Sequence, residues 1–220
     1  MNGQSISGSG KIVVSLVVAA SLSGLAPGAL AERRGPGNAG RPASWRSAEQ
    51  GAPPIEESRR QAEANPQDAV AQNDLGWALR QSGDLPGAER ALRRAIKLNP
   101  NMPQARSNLA VVLADQKRPA EAVAEARQAV TLDPEQPVYH VVLGNALLGQ
   151  GDAGAAIEEY RKAVAQKADY ENARFHLGEA LYRKGEVTAA KVELSYALKL
   201  DPNDARALEL MDRIMSGEKR

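Results

Sequence analysis

A repeat with a period of about 34 residues constrains the fold of this chain more than any other feature of its sequence. Four units begin at Ala69, Pro103, Pro137 and Glu171, and together they cover 69–204. Because the same residue types recur at the same places, the units are expected to share one local structure. A repeat of this length is one supersecondary element that buries its apolar face only on its neighbours.

Leucine, alanine and small residues occupy fixed places within the units and predict two helices in each. Leucine holds places seven and eleven, a small residue holds place eight, and alanine holds places twenty and twenty-seven. In the first unit these are Leu75, Leu79, Gly76, Ala88 and Ala95. Places seven, eight and eleven share one helix face, where the small residue lets another helix approach closely. We therefore expect an all-α fold built from helix, turn and helix.

The predicted turns carry residues that suit those positions. SGD, QGD and KGE separate the two helices of units one, three and four, and glycine there suits a left-handed C-terminal cap. Unit two has Lys117 where the others have glycine, so its turn is expected to be differently shaped or mildly strained. LNPN, LDPE and LDPN end the second helices of units one, two and four, since proline cannot continue a helix.

These places and spacings resemble the tetratricopeptide repeat, a helix–turn–helix unit of about 34 residues. The resemblance implies a right-handed α-solenoid whose first helices line a concave groove. The chain departs from the pattern at Ala126, which is small at place twenty-four, and at Ala168, which replaces proline. A third departure is place four, often a large apolar residue in the family, which here holds Gln72, Arg106, His140 and Arg174.

The resemblance also implies how the chain divides around the repeats. A half-repeat helix at 55–68 and a capping helix with a tail at 205–220 are expected to cover the two ends, because a terminal repeat exposes an apolar face. On the capping helix, Ala207, Leu208, Met211 and Ile214 are predicted to lie on one side. The four predicted repeats are 69–102, 103–136, 137–170 and 171–204.

The stripe opposite the packing face of the first helices lines the groove in the repeat family, and the resemblance assigns it to partner binding. Trp77 lies on this stripe, about 200° from Leu75 at 100° per residue. Two interpretations are open for it: an anchor for a bound segment, or a platform covered by the chain's own residues 55–64 or by an arm containing Trp45. For Val141 and Phe175 the alternative is packing against neighbouring first helices. The predicted partner-binding residues are Asn73, Trp77, Arg80, Asn108, Val111, Val141, Asn145, Leu148, Phe175, Glu179 and Tyr182.

Composition argues against several other functions. The chain has 28 basic and 27 acidic residues without a basic stripe, so nucleic-acid binding is not expected. It has no cysteine, and His140 and His176 lie far apart in the sequence, so no metal site, catalytic nucleophile or cofactor is expected.

Of the five residues with which chaperone-binding members of the repeat family hold a partner's terminal carboxylate, only Asn108 is in place. The sequence therefore predicts a non-catalytic scaffold or adaptor for a protein or peptide segment.

Residues 1–54 differ from the repeats. Lys11 precedes the apolar run IVVSLVVAASLSGLA and an A-x-A pattern ending at Ala31, the order of a cleaved secretory signal at 1–31. The alternative is an uncleaved anchor, but this run is shorter than the roughly 20 residues that span a bilayer. Residues 32–54, rich in Gly, Pro and Arg, are predicted to form a flexible linker, in which Trp45 is incidental or part of a docking motif.

The predicted signal places the mature protein in the periplasm or outside the cell, with no membrane span after cleavage. There we expect the groove to assist assembly of an envelope or secreted complex. A second hypothesis makes the chain an accessory subunit of an exported enzyme or polysaccharide machine. Self-association is a third, and the sequence alone does not choose the partner.

Overall fold

Residues 55–217 are the part of the chain that this computed structural model describes, and they form ten α-helices and no strand. The predicted signal peptide and linker, including Trp45, lie outside this range. The helices are α1 (Ile55–Ala64), α2 (Ala69–Gln81), α3 (Leu85–Leu98), α4 (Pro103–Asp115), α5 (Pro119–Leu132), α6 (Pro137–Gln150), α7 (Ala153–Gln166), α8 (Glu171–Lys184), α9 (Val187–Leu200) and α10 (Ala205–Ser216).

The helices pack as a solenoid of pairs. Within each repeat the first helix packs against the second: α2 on α3, α4 on α5, α6 on α7 and α8 on α9. Each second helix also packs against the first helix of the next repeat, and the successive first helices α2, α4, α6 and α8 contact one another. A main apolar core, rich in leucine, alanine and valine, runs through these pairs, and a smaller cluster contains Ala95, Met102 and Ala105. The predicted all-α fold is confirmed.

Glycine at place eight makes room for a large side chain at place twenty-four of the second helix. A Cβ atom added to Gly76 would lie 2.5 Å from Leu92 Cγ, and one added to Gly178 would lie 2.9 Å from Leu194 Cγ. At Gly144 the added atom would meet the ring of Tyr160. Repeat two has alanine at both places, Ala110 and Ala126, and both are fully buried. In repeat two, Ala126 is smaller than the residues at place twenty-four of the other repeats, and Ala110 at place eight is larger than their glycine.

Place four carries a polar latch that joins three elements. In repeats two, three and four, the side chain there bonds to a glutamate at place twenty-three of its own second helix and to a carbonyl oxygen in the loop before its own helix. In repeat four, Arg174 Nη1 lies 2.8 Å from Glu193 Oε2, and Arg174 Nε donates to Ala168 O at 2.8 Å. Arg106 with Glu125 and Pro100, and His140 with Glu159 and Pro134, repeat the arrangement. A latch thus takes the place of an apolar contact.

The turn of repeat two keeps the shape of the other turns. The Lys117 N–H donates to Ala114 O, and the next N–H donates to Leu113 O, as Gly151 and its successor do in repeat three. To achieve this, Lys117 adopts φ 61°, in the left-handed region where Gly151 has φ 93°. The prediction of a different turn shape is wrong, and the predicted strain is present, because a side chain is disfavoured at this φ.

The two ends of the helix array differ in polarity. The exposed residues of α1 include the charged Glu56, Arg59, Arg60 and Glu63. On α10 the buried residues are Ala207, Leu210 and Ile214, whereas Leu208 is 48% exposed. The predicted apolar side of α10 is therefore correct for Ala207 and Ile214 and wrong for Leu208. Leu210 is buried in its place, and Met211 is half-buried.

Candidate partner-binding groove

Trp77 lies at the N-terminal end of the stripe that was predicted to line the groove. It is half-buried and does not belong to the core. The guanidinium of Arg80 lies over its ring, 4.8 Å from the centroid, and Arg80 Nε donates to Asp115 Oδ2 at 2.7 Å. Because Arg80 is on α2 and Asp115 on α4, these three side chains form a continuous surface across two repeats.

Asn73 is fully buried, so its assignment as a ligand-facing side chain is wrong. Its Oδ1 accepts from Asn108 Nδ2 at 2.9 Å, and its own amide donates to Asp74 Oδ1 at 3.2 Å. Burial raises the pKa of Asp74 above its ordinary value. The bond from Asn108 links α2 to α4, and the bond to Asp74 stays within α2. Asn108 remains partly exposed.

Val141 and Phe175 are 2% and 7% exposed, and their assignment to the ligand-facing surface is also wrong. The successive first helices contact one another, and this packing buries the two side chains between them. The guanidinium of Arg206 from α10 covers Phe175 at 4.5 Å from the ring centroid. Packing between neighbouring first helices, the alternative stated for these residues, is therefore correct.

The centre of the groove carries no formal charge. Helix α6, Pro137–Gln150, contains no Asp, Glu, Lys or Arg, and its histidine, His140, is buried in a latch. Val111 of α4 and Leu148 of α6 are half-buried, while Asn145 of α6 is exposed. Asn145 Oδ1 accepts from Tyr160 Oη at 2.7 Å. This bond fixes the carboxamide, and the Nδ2 group keeps two hydrogens that can reach a partner's carbonyl oxygen.

Charged side chains at the C-terminal end of the groove neutralise one another. Glu179 Oε1 accepts from Arg183 at 2.6 Å, and its other oxygen lies 3.5 Å from His176 Nδ1. His176 and Arg183 hold the pKa of Glu179 below its ordinary value. Tyr182, one turn from Glu179, is half-buried.

Arg206 joins this end of the groove to α10. Its guanidinium donates to Asn172 and Glu171 at 3.2 Å and to Asp204 at 3.0 Å. Burial and the neighbouring Asp204 raise the pKa of Glu171 to about 7. Arg206 holds the pKa of Asp204 well below its usual range.

Sequence models of the tetratricopeptide repeat match residues 60–137 and 147–214. The chain is a tetratricopeptide-repeat protein. The helix pairs are therefore those of this repeat. A comparison with curated proteins gave no match.

Solved structures of other proteins, two of them described as tetratricopeptide-repeat proteins, share this fold. TTC0263 of Thermus thermophilus superposes with a TM-score of 0.66 at 19% identity, over 74% of this chain and 89% of that one. MamA gives 0.58 at 26% identity, over 66% and 84%. YrrB, described as having an unusual peptide-binding site, gives 0.57 at 20% identity, over 74% and 93%.

The described residues contain neither a membrane-spanning helix nor a cluster of metal ligands. No helix within 55–217 has the length and apolarity needed to cross a bilayer. No group of three or more His, Cys, Asp or Glu in that range is placed to hold a metal ion.

Sequence reasoning missed two side chains that shape the groove. Asp115 binds Arg80 and limits the positive charge beside Trp77. Tyr160, on the second helix α7, orients Asn145. A signal for Tyr160 was available, because it occupies place twenty-four, where Leu92 and Leu194 stand in other repeats. Its hydroxyl has no counterpart there and needs a hydrogen-bond partner when buried.

Proposed function

We propose that this repeat protein is a non-catalytic scaffold that binds a segment of another protein in its groove. The observation that carries the proposal is the uncharged centre of the groove. There Val111 and Leu148 supply apolar surface beside the fixed, exposed amide of Asn145. An apolar floor with one oriented donor suits a segment that offers both side chains and backbone carbonyls.

The chemistry of the groove favours an uncharged, apolar segment as the partner. Arg80 is paired with Asp115 and Arg183 with Glu179, so neither end offers an unpaired charge from these residues. Burying an ionised side chain beside Val111 and Leu148 without a counter-charge would be costly. Because little charge is neutralised on binding, the affinity is expected to depend weakly on ionic strength.

Trp77 marks the N-terminal limit of the proposed site. Its half-buried ring, held against Arg80, offers a rigid aromatic surface. Aromatic side chains of this kind commonly dominate the energy of a binding surface. The interpretation of Trp77 as an anchor stays a prediction, as does the partner-binding role of Arg80, Asn108, Glu179 and Tyr182. The peptide-binding site described for YrrB supports a similar use of the fold.

The compartment is a proposal as well. The order of Lys11, an apolar run and an A-x-A pattern at Ala31 supports export, and the groove would then act on an envelope or secreted complex. The N-terminal residue of the mature protein tests this directly. Export with cleavage predicts Glu32 as the first residue, and a mature protein that retains Met1 or the apolar run would contradict it.

Site-specific photo-crosslinking in the native cell tests the groove. A photoreactive residue at Leu148 faces the groove, whereas one at the exposed Glu158, on the neighbouring helix α7, is the matched control. We expect a discrete crosslinked partner from position 148 and none from 158. A second change, Asn145→Ala, should reduce the crosslink at 148. Equal crosslinking from both positions, or none at 148 from cells that contain the folded protein, would overturn the proposal.

A further inference from the structure

Exposed apolar side chains are concentrated at one end of the described chain. Among residues 55–217, eight large hydrophobic side chains are at least 37% exposed, and six of them lie between 187 and 215. Isolated exposed apolar residues are normal on a protein surface, but a concentration of them indicates a contact surface. The six are Val187, Val192, Tyr196, Leu200, Leu208 and Met215.

Helix α10 occupies the place of a first helix whose second helix is missing from the described residues. It begins at Ala205, one full repeat period after the start of α8 at Glu171. Met211 and Met215 therefore stand at places seven and eleven, where repeats two, three and four bury leucine at 5% exposure or less. Met215 is instead 66% exposed. The face that the inner repeats cover with their own second helix is thus open on α10.

The preceding second helix, α9, is followed by no further second helix within residues 55–217. In repeat one, Glu89 of α3 pairs with Arg118 at the start of α5 at 2.8 Å, and Arg93 lies 3.8 Å from Glu121. These are contacts between consecutive second helices, at places twenty-one and twenty-five. On α9 the corresponding residues are Lys191 and Ser195, and Ser195 Oγ donates to Lys191 O within the same helix. The described residues therefore leave a vacant seat for one more helix against the side of α10 that carries Leu208, Met211 and Met215.

The opposite end of the array does not fit this seat. The exposed residues of α1 include Glu56, Arg59, Arg60 and Glu63. A head-to-tail array would set these charged side chains near Leu208 and Met215, which would desolvate charge without a partner. The linker 32–54 is rich in arginine and would lie beside Lys191 and Lys199. Neither α1 nor the linker 32–54 is therefore complementary to an apolar surface that is bordered by lysine side chains.

Helix α10 itself is complementary to this face. Leu208, Met211 and Met215 are spaced three and four residues apart and form a stripe along the helix. Glu209 and Arg213 lie on one flank of the stripe, 73% and 47% exposed, and pair with each other along the helix at 2.8 Å. In an antiparallel pair centred on Met211, Glu209 of each helix approaches Arg213 of the other. A second helix also packs antiparallel to its first helix across a short turn.

We propose that a second copy of this chain covers the open face, with the two α10 helices packed antiparallel about a two-fold axis. Each α10 then occupies the seat that residues 55–217 of the other copy leave vacant. An interface made of one patch and its own copy closes at two chains and does not propagate. The groove centre at Val111, Asn145 and Leu148 is not part of this contact, so the dimer does not depend on the proposed partner.

Sedimentation equilibrium tests the proposal on the full mature chain. Met215→Glu and Leu208→Glu each place a charge on the stripe, and Leu132→Glu, at a residue 37% exposed on α5, is the matched control. We expect a dimer for the parent and the control, and at least a tenfold higher Kd for the two α10 variants. Both α10 residues are exposed, so circular dichroism should show unchanged helix. A monomeric parent at about 1 mM chain would overturn the proposal, since a Kd of about 1 mM would still show dimer there. So would equal loss of dimer in the control.

Cysteine crosslinking distinguishes the two-fold dimer from a head-to-tail array. The chain has no cysteine, so each introduced thiol is unique. Met211→Cys lies at the proposed axis and should crosslink into dimers that do not grow further. A mixture of Arg59→Cys and Met215→Cys chains reports contact between α1 and α10. Crosslinks between those two, or a ladder of higher oligomers, would refute the two-fold arrangement. Asn145→Ala should leave the Met211→Cys crosslink unchanged, which separates this result from failure of the groove proposal.

Discussion

The latch at place four of repeat four gives a quantitative prediction about stability. Arg174→Met keeps most of the aliphatic stem but removes the guanidinium that binds Glu193 Oε2 and Ala168 O, each at 2.8 Å. The two side chains are 14% and 21% exposed, so Glu193 loses its partner in a largely desolvated position. A hydrogen bond to a charged group contributes about 1.5–3 kcal/mol and one to a neutral carbonyl about 1 kcal/mol. Residual exposure of Glu193 reduces this, and we expect a loss of about 2–3 kcal/mol.

Urea unfolding followed by circular dichroism measures this loss, with Arg161→Met as the matched control. Arg161 pairs with Glu158 at the same 2.8 Å, but the two side chains are 54% and 63% exposed. Exposed pairs contribute about 0–1 kcal/mol, so this variant should change the free energy of unfolding by less than about 0.5 kcal/mol. Arg174→Met combined with Glu193→Met should recover most of the loss, because an apolar pair replaces a buried ion pair at little cost. Similar effects of Arg174→Met and Arg161→Met would refute the latch as a source of stability.

Three further predictions concern the turn of repeat two, the place-eight glycines and the junction with α10. Lys117→Gly should stabilise the protein by about 0.5–1 kcal/mol because it relieves φ 61°, and Gly151→Lys, where an added Cβ meets nothing, should cost about as much in urea unfolding. Gly178→Ala should cost about 1–3 kcal/mol by crowding Leu194, and adding Leu194→Ala should cost less than the sum of the two single changes; additive losses would contradict the coupling. Burial and Asp204 raise the pKa of Glu171 from 4.5 to about 7. The contribution of protonated Glu171 to folding stability is therefore fully present below pH 4.5 and is lost as the pH rises towards 7. Relative to Glu171→Gln, the parent should lose stability across that window in pH-dependent urea unfolding, and a constant difference would contradict this.

The helices of the fold followed from the sequence because their causes are local. Leucine, glycine and alanine at fixed places specify which faces pack, and four units provide the same information repeatedly. The polar latch was not predicted, because it joins residues on two different helices, such as Arg174 and Glu193, through the packing between them. From the sequence alone, Arg174 stood out only as a polar residue at a place that is often apolar in the family.

The candidate groove was predicted less completely than the fold. A helical wheel places Asn73, Val141 and Phe175 on the same stripe as Trp77 and Asn145, but it describes one helix at a time. The contacts between successive first helices decide which of these side chains are exposed, and they bury the first three. For the same reason, Leu208 of α10 was predicted to be buried, whereas the structure buries Leu210. Contact with the neighbouring helix α9 decides which side of α10 is buried.

Binding of an apolar partner segment at the groove centre is the central claim, and isothermal titration of the crosslinked segment tests it most directly. Once the segment from the Leu148 crosslink is known as a peptide, its Kd is measured for the parent, for Leu148→Asp with Asn145→Ala, and for Glu158→Ala on the neighbouring helix. The groove variant should bind at least tenfold more weakly, a loss of about 1.4 kcal/mol or more, and the control should bind like the parent. An unchanged Kd for a folded groove variant would contradict the account.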